Sequence, residues 1–111
     1  MEGVQGMKKV WQEIKDDLQR NPRDIPTVPK QKKEPLWFHA SSDGNYVYIS
    51  NAKTHRPSSS IKGIRNLSEA EFERIYPIHI RREKGEAVSK EAAKATMNQV
   101  YWYGILTACV K

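Results

Sequence analysis

The chain has 111 residues and a single cysteine, Cys109. This length fits one domain with its own core. One cysteine excludes an intrachain disulfide and leaves a structural zinc site only scattered histidines and carboxylates. No apolar run approaches the roughly 18 residues of a membrane span, and the first residues lack the basic start and apolar centre of a signal peptide. We therefore expect a cytoplasmic protein without membrane, metal or cofactor.

The positive charge is concentrated in two segments. The chain carries 19 Lys and Arg against 13 Asp and Glu, a formal net charge of +6. Residues 20–36 contain five basic and two acidic residues, residues 50–67 contain four basic and no acidic residues, and the remainder sums to −1. Clustered charge of one sign favours a ligand of the opposite sign. The pattern therefore predicts an anionic partner, with nucleic acid as the first candidate.

Residues 1–20 predict an amphipathic helix. Five apolar residues recur at the spacing of one helical face: Met7, Val10, Trp11, Ile14 and Leu18. Four prolines then interrupt residues 21–35, which predicts an extended basic linker because proline cannot continue a helix. The linker fits either a tether to a small domain at 36–111 or an arm that contacts nucleic acid.

Residues 36–40 and 46–50 are short runs rich in aromatic and β-branched side chains, which predict a β-hairpin. Asp43 and Gly44 between them form a favoured two-residue turn, and this turn places Ala40 opposite Val47 and Phe38 opposite Ile49. One face of the ribbon is then aliphatic: Leu36, Phe38, Ala40, Val47 and Ile49. The other face is aromatic: Trp37, His39, Tyr46 and Tyr48.

The aromatic face has two interpretations. Rings of Trp, Tyr and His beside a basic loop form a platform on which unpaired bases stack. The same rings also tolerate partial burial, and a helix that packs over them would make this face structural.

The second basic segment, residues 50–67, predicts irregular backbone with phosphate-binding chemistry. Its hydroxyl and cationic side chains suit phosphate oxygens: Lys53, Arg56, Ser58, Ser59, Ser60, Lys62 and Arg65. The spacing of a nucleotide-binding P-loop is missing. A solvated surface loop that binds nothing is the alternative.

Ser68 and Glu71 form a capping box, which predicts the start of a helix at this point. Pro77 disfavours helix at the residue before it, so we predict a strand at 78–82 that joins the hairpin, with a kinked helical continuation as the alternative. Arg81 and Arg82 would add phosphate contacts in either topology.

A final helix is predicted to begin at Ser89, with one apolar face: Ala93, Met97, Val100, Tyr101, Gly104, Ile105, Ala108 and Cys109. From Val100 onward the helix is apolar on nearly all sides, which indicates either burial in the monomer or a homodimer interface at residues 100–106. Gly104 in mid-helix suits the close approach of another backbone.

Two further functional interpretations are weaker. A helix-turn-helix at residues 68–99 is opposed by Pro77 and by the apolar second half of its recognition helix. Acid–base cleavage of a phosphodiester by His39, His55 or His79 has no diagnostic spacing, and no metalloprotease or serine-hydrolase motif occurs.

The sequence thus predicts an α+β protein with an N-terminal helix, a basic linker, a hairpin and two C-terminal helices. Non-catalytic binding of DNA or RNA is the function that it favours, through the second basic segment, Arg81, Arg82 and the aromatic face. The alternative is a small interaction or inhibitor subunit that docks through its helices on an acidic protein partner.

Overall fold

The computed structural model describes residues 4–29 and 34–110, in which four helices accompany a four-stranded sheet. The elements in chain order are α1 (Val4–Arg20), β1 (Arg23–Pro26), β2 (Trp37–Ser42), β3 (Val47–Asn51), β4 (Arg65–Leu67), α2 (Glu69–Glu83), α3 (Ser89–Ala95) and α4 (Gln99–Cys109). The sheet is antiparallel in the order β1-β2-β3-β4. This architecture confirms the predicted α+β class. No helix in the described ranges has both the length and the apolar character needed to cross a membrane.

Helix α1 packs into the same core as the sheet and the later helices. Its predicted apolar face is buried at Trp11, Ile14 and Leu18. The Trp11 ring lies 5.4 Å from that of Phe72 in α2 and 5.7 Å from that of Trp102 in α4, measured between centroids. Aromatic contacts of this kind contribute stability beyond the area they bury. This cluster therefore joins three helices at the centre of the helical layer.

The segment predicted as a linker contains strand β1, which sequence analysis did not foresee. Its four residues pair with β2, and Ile25 is buried opposite Phe38. Prolines are tolerated here because β1 lies at the edge of the sheet, where one side needs no backbone hydrogen bonds. Lys30, Lys32 and Lys33, from the same segment, lie outside the described residues.

The hairpin has the predicted faces but not the predicted turn. Ala40 pairs with Ile49 and Ser42 with Val47, so the two-residue Asp-Gly turn is wrong and residues 43–46 form the loop. The Asp43 carboxylate accepts hydrogen bonds from the backbone N–H groups of Asn45 and Tyr46, each at 2.9 Å, and thereby closes this wider loop. A shift of two residues leaves every side chain on its face.

The aliphatic face is accordingly confirmed for four of its five predicted members, since Phe38, Ala40, Val47 and Ile49 are fully buried. Leu36 precedes β2 and is exposed. The helices pack on this face of the sheet.

The predicted strand at 78–82 is wrong, because α2 runs without a break from Glu69 to Glu83. Pro77 lies inside the helix on its exposed side, where the ring meets solvent, and burial of Ile75 on the opposite side offsets the lost hydrogen bond. The predicted N-cap is confirmed, since the Ser68 hydroxyl accepts a hydrogen bond from the Glu71 N–H.

The predicted continuous final helix is also wrong, because extended backbone at Thr96 separates α3 from α4. The Glu71 carboxylate, partly buried, accepts hydrogen bonds from the Thr96 hydroxyl, from Asn98 Nδ2 at 3.1 Å and from Trp102 Nε1 at 3.4 Å. Three donors on one carboxylate hold the chain in a turn that a straight helix would not permit. Because Thr96 and Asn98 are buried in this network, they are not presented to DNA as the helix-turn-helix interpretation requires.

Helix α4 lies against the sheet and is largely buried within the chain. Residues 102–106 are all buried, whereas Val100 is exposed. A Cβ atom on Gly104 would lie 2.7 Å from the carbonyl oxygen of Pro26 and 3.0 Å from the Phe38 ring, which agrees with the expected close approach. The predicted apolar face fails at Ala93, Met97 and Val100, which are exposed.

Candidate nucleic-acid interface

The face of the sheet opposite the helices is open. Alternation along the strands places Pro26 on it together with seven residues that have polar or aromatic side chains: Asp24, Trp37, His39, Ser41, Tyr48, Ser50 and Asn66. Residues 53–55 cover the β1 end of this face, where the Asp24 side chain is 2% and the His39 side chain 15% exposed. Toward the other end, Ser41, Tyr48 and Ser50 are half-buried and Asn66 is exposed. Because the helices pack on the other side, the predicted aromatic face does not lie under a helix. We call these seven residues the open face.

Asp24, at the β1 edge of the open face, binds the start of the second basic segment. Its carboxylate accepts hydrogen bonds from the backbone N–H groups of Lys53 (3.0 Å), Thr54 (2.8 Å) and His55 (3.0 Å). The side chain is only 2% exposed. Burial alone would raise the pKa of Asp24, but these N–H donors and His55 outweigh it and hold the pKa far below its usual range. Asp24 is therefore a buried anion that fixes the segment to the sheet.

Two imidazole rings share this carboxylate. His39 Nδ1 lies 3.1 Å from Asp24 Oδ1, and His55 Nδ1 lies 3.0 Å from Asp24 Oδ2. The His39 side chain is 15% exposed and that of His55 is 47% exposed. The indole of Trp37 stacks on the His55 ring at 4.0 Å between centroids and an angle of 21°. We call Asp24, His39 and His55 the His–Asp–His cluster.

Two cations border this cluster. Lys53 and Arg56 are exposed and follow the turn that Asp24 holds. Arg56 Nη1 donates to the backbone carbonyl of His55 at 2.9 Å, which ties the guanidinium to this turn while the residue remains exposed. Lys62 and Ser60, further along the segment, are exposed as well.

Two of the three predicted serines brace the segment instead of facing solvent. The Ser58 hydroxyl accepts from the Ala52 N–H at 3.0 Å and donates to the Ser59 carbonyl at 2.8 Å. Ser59 is buried. Because these groups are engaged within the chain, we leave Ser58 and Ser59 out of the candidate interface.

Tyr46 and Tyr48 lie at the other end of the hairpin. Their ring centroids are 6.4 Å apart, and Tyr46, in the loop before β3, is exposed. The Tyr48 hydroxyl donates to Asp43 at 2.6 Å. This bond and the Tyr46 and Asn45 N–H groups lower the pKa of Asp43 to about 2. The interface thus has a cationic end at Lys53 and Arg56 and an anionic end at Asp43.

The remaining predicted arginines are engaged elsewhere. Arg65 Nη1 donates to Asn98 at 3.0 Å, and Arg82 donates to the Val28 carbonyl at 2.8 Å while its guanidinium lies 4.2 Å from the Tyr103 ring centroid. Arg81 forms ion pairs with Glu86 and Glu91, and these carboxylates raise its pKa. These three residues are not part of the candidate interface.

The other candidates for chemistry are separated from the open face. His79 is buried in α2, where desolvation lowers its pKa. Burial raises the pKa of Cys109 to about 12, so its thiol is a poor nucleophile at neutral pH. Within residues 4–29 and 34–110, no group of three or more His, Cys, Asp or Glu side chains is arranged to hold a metal ion.

Asp24 is the site residue that sequence analysis missed, and the placement of His55 was missed with it. The two residues are 31 positions apart and meet only because β1 pairs with β2. A polar residue between prolines gave no local signal for this contact.

No family model, curated protein or solved structure matches this chain. The assignment of the His–Asp–His cluster and the open face as a candidate site is therefore based on the structure of this chain.

Proposed function

We propose that the protein binds single-stranded nucleic acid across the open face. Bases stack on the rings of Trp37, His39 and Tyr48, and phosphates lie along Lys53 and Arg56. The observation that carries this proposal is a sheet face free of helices on which aromatic rings border the exposed cations of the second basic segment.

The aromatic rings supply the base-stacking part of this binding. Stacking of one base on an aromatic side chain contributes about 1–3 kcal/mol and accepts any base, because every base has a flat face. Trp37 already covers the His55 ring with one side, so its second side is the one available to a base. Rings spaced along a sheet suit unpaired bases, because bases in a duplex are stacked on each other.

The charge distribution of the interface orients the bound nucleic-acid strand. Lys53 and Arg56 belong to the segment that Asp24 fixes to one end of the open face, and Asp43 lies at the hairpin end. The negative charge of Asp24 is balanced by the N–H groups and imidazoles that surround it. Phosphates are thus favoured at the Lys53 end and disfavoured beside Asp43.

A salt series tests the electrostatic part. The affinity for a fluorescein-labelled single-stranded oligonucleotide, measured by anisotropy, should fall linearly with salt on logarithmic axes. The double change Lys53→Ala and Arg56→Ala removes two phosphate contacts and should reduce that slope by about 1.4, given about 0.7 per contact for single strands.

The matched control is the double change Lys90→Ala and Lys94→Ala, which removes the same charge from exposed positions on α3. It should leave the slope nearly unchanged. An equal effect of both pairs would mean that binding follows net charge, and undetectable binding of the wild type at low salt would contradict the proposal.

A second measurement tests stacking. Trp11 and Trp102 are buried, so bound bases should quench the fluorescence of Trp37 selectively. Tyr48→Ala should weaken binding of single strands by about 5- to 150-fold, which corresponds to 1–3 kcal/mol. Tyr48→Phe retains the ring and should bind nearly as well as the wild type. Equal losses in the two variants would assign the effect to the hydroxyl bond with Asp43 and contradict stacking.

The alternative hypothesis, docking through helices, depended on two surfaces that the chain uses internally. The apolar side of α1 is buried at Trp11, Ile14 and Leu18, and α4 is buried at residues 102–106. We therefore carry the nucleic-acid hypothesis forward.

A further inference from the structure

The His–Asp–His cluster holds two imidazoles in a way that leaves the same nitrogen of each ring for a ligand. Both rings use Nδ1 to meet Asp24, at 3.1 Å for His39 and 3.0 Å for His55. Nε2 lies on the far side of each ring from the carboxylate. Within the described residues, neither Nε2 has a hydrogen-bond partner in the protein. A carboxylate on Nδ1 fixes both the tautomer and the orientation of an imidazole.

We propose that His39 and His55 act as a general acid–base pair that cleaves single-stranded RNA at a phosphodiester beside Trp37. This inference rests on the proposed function, because the open face must first bind the strand. Asp24 is the positioning residue, since it orients both rings and does not itself reach the substrate.

The reaction needs two proton transfers. The neutral imidazole takes the proton of a ribose 2′-hydroxyl at Nε2, and the lone pair of that oxygen forms a bond to phosphorus. The bond from phosphorus to the 5′-oxygen breaks, its electron pair stays on that oxygen, and the imidazolium donates its Nε2 proton there. The products are a 2′,3′-cyclic phosphate and a 5′-hydroxyl. One ring has gained a proton and the other has lost one, so atoms and charge balance.

The surroundings suit this chemistry. The Asp24 carboxylate is 2% exposed and lies 3.1 Å from Nδ1 of His39 and 3.0 Å from Nδ1 of His55, so it holds both rings in place. Trp37 restrains His55 by stacking at 4.0 Å, which favours a single ring orientation for the more exposed histidine. Arg56 follows His55 directly and Lys53 lies two residues before it; both side chains are exposed, so they can neutralise charge that develops on the phosphate oxygens.

The experiment separates binding from cleavage with two oligonucleotides of one sequence. Single-stranded RNA with a 5′ label is incubated with the full-length protein in EDTA, and products are resolved with a 2′,3′-cyclic phosphate standard. The 2′-O-methyl version has no nucleophilic hydroxyl and reports binding alone. We expect cleavage of the RNA, binding of both, and no cleavage of the 2′-O-methyl strand.

His39→Gln and His55→Gln should each lower the cleavage rate by about 100-fold or more. Both should still bind the 2′-O-methyl strand, and circular dichroism should confirm that they fold. His79→Gln is the matched control, because it changes the third histidine on the helical layer and should cleave at the wild-type rate.

Four outcomes separate the hypotheses. Binding without cleavage would overturn the acid–base inference and leave the proposed function intact. Failure to bind the 2′-O-methyl strand would overturn both. Equal cleavage by the wild type and both histidine variants would identify a contaminating nuclease and overturn the inference. Loss of cleavage in His39→Gln and His55→Gln, but not in His79→Gln, supports the acid–base inference.

Discussion

Asp24→Asn should lower the free energy of unfolding by about 2–3 kcal/mol, because hydrogen bonds to a buried charged acceptor contribute that much. The carboxylate accepts from three consecutive backbone N–H groups, at residues 53–55, and from two imidazoles. An amide of the same size brings its own N–H donors into a site lined by donors, so some of these groups lose their partner. Urea unfolding followed by Trp fluorescence measures the change.

The Asp24 carboxylate should also make the free energy of unfolding depend on pH in the acid range. The pKa of Asp24 is held far below the value of about 3.9 that it has in an unfolded chain. Its contribution to stability is therefore complete above about pH 5 and is lost progressively as the pH falls further, because the unfolded state then binds a proton that the folded state does not bind. The stability of the wild type should fall more steeply than that of Asp24→Asn below pH 4.

Asp16→Asn supplies the control for this pair of measurements. Asp16 is exposed on α1 and accepts one side-chain hydrogen bond, from Gln12. Its replacement should leave stability and the acid slope nearly unchanged. A similar loss from both substitutions would show that Asp24 contributes no more than a surface carboxylate.

Gly104→Ala should destabilise the protein by about 2 kcal/mol, the middle of the usual range for an overpacked core. The added Cβ would lie 2.7 Å from the Pro26 carbonyl oxygen, which is backbone, and 3.0 Å from the Phe38 ring. Helix α4 or strand β1 must move apart to admit it. The result is opposite in sign to the usual preference for alanine over glycine inside a helix.

Gly6→Ala is the comparison, because nothing lies within 4 Å of a Cβ at that position in α1. It should stabilise the protein by up to about 1 kcal/mol. Thermal unfolding measures the stability of both variants. A Gly104→Ala protein as stable as the wild type would rule out the tight contact between α4 and β1.

Local sequence patterns were sufficient to predict a helix or strand whose structure depends mainly on its own residues. The spacing of Trp11, Ile14 and Leu18 predicted both the helix and its buried side, and the Ser68 hydroxyl predicted where α2 begins. The two faces of the hairpin were predicted although the turn was wrong. A shift of the strand pairing by two residues leaves each side chain on the same face, because side chains alternate between the faces.

Contacts between distant parts of the chain could not be predicted. The break between α3 and α4 depends on Glu71, which lies 25 residues before Thr96. Strand β1 forms despite its prolines because β2 offers it a partner, and Pro77 is tolerated in α2 because that side of the helix is exposed. The candidate site depends on the same kind of contact, since Asp24 and His55 meet only in the folded sheet.

The edge strands of the sheet affect the tendency of the protein to aggregate at high concentration. The outer strands are β1, four residues long with proline at its last position, and β4, three residues long. Strands this short, one of them ending at a residue without an N–H group, offer little to another chain that would add a strand. Both edges of the sheet therefore resist growth into aggregates.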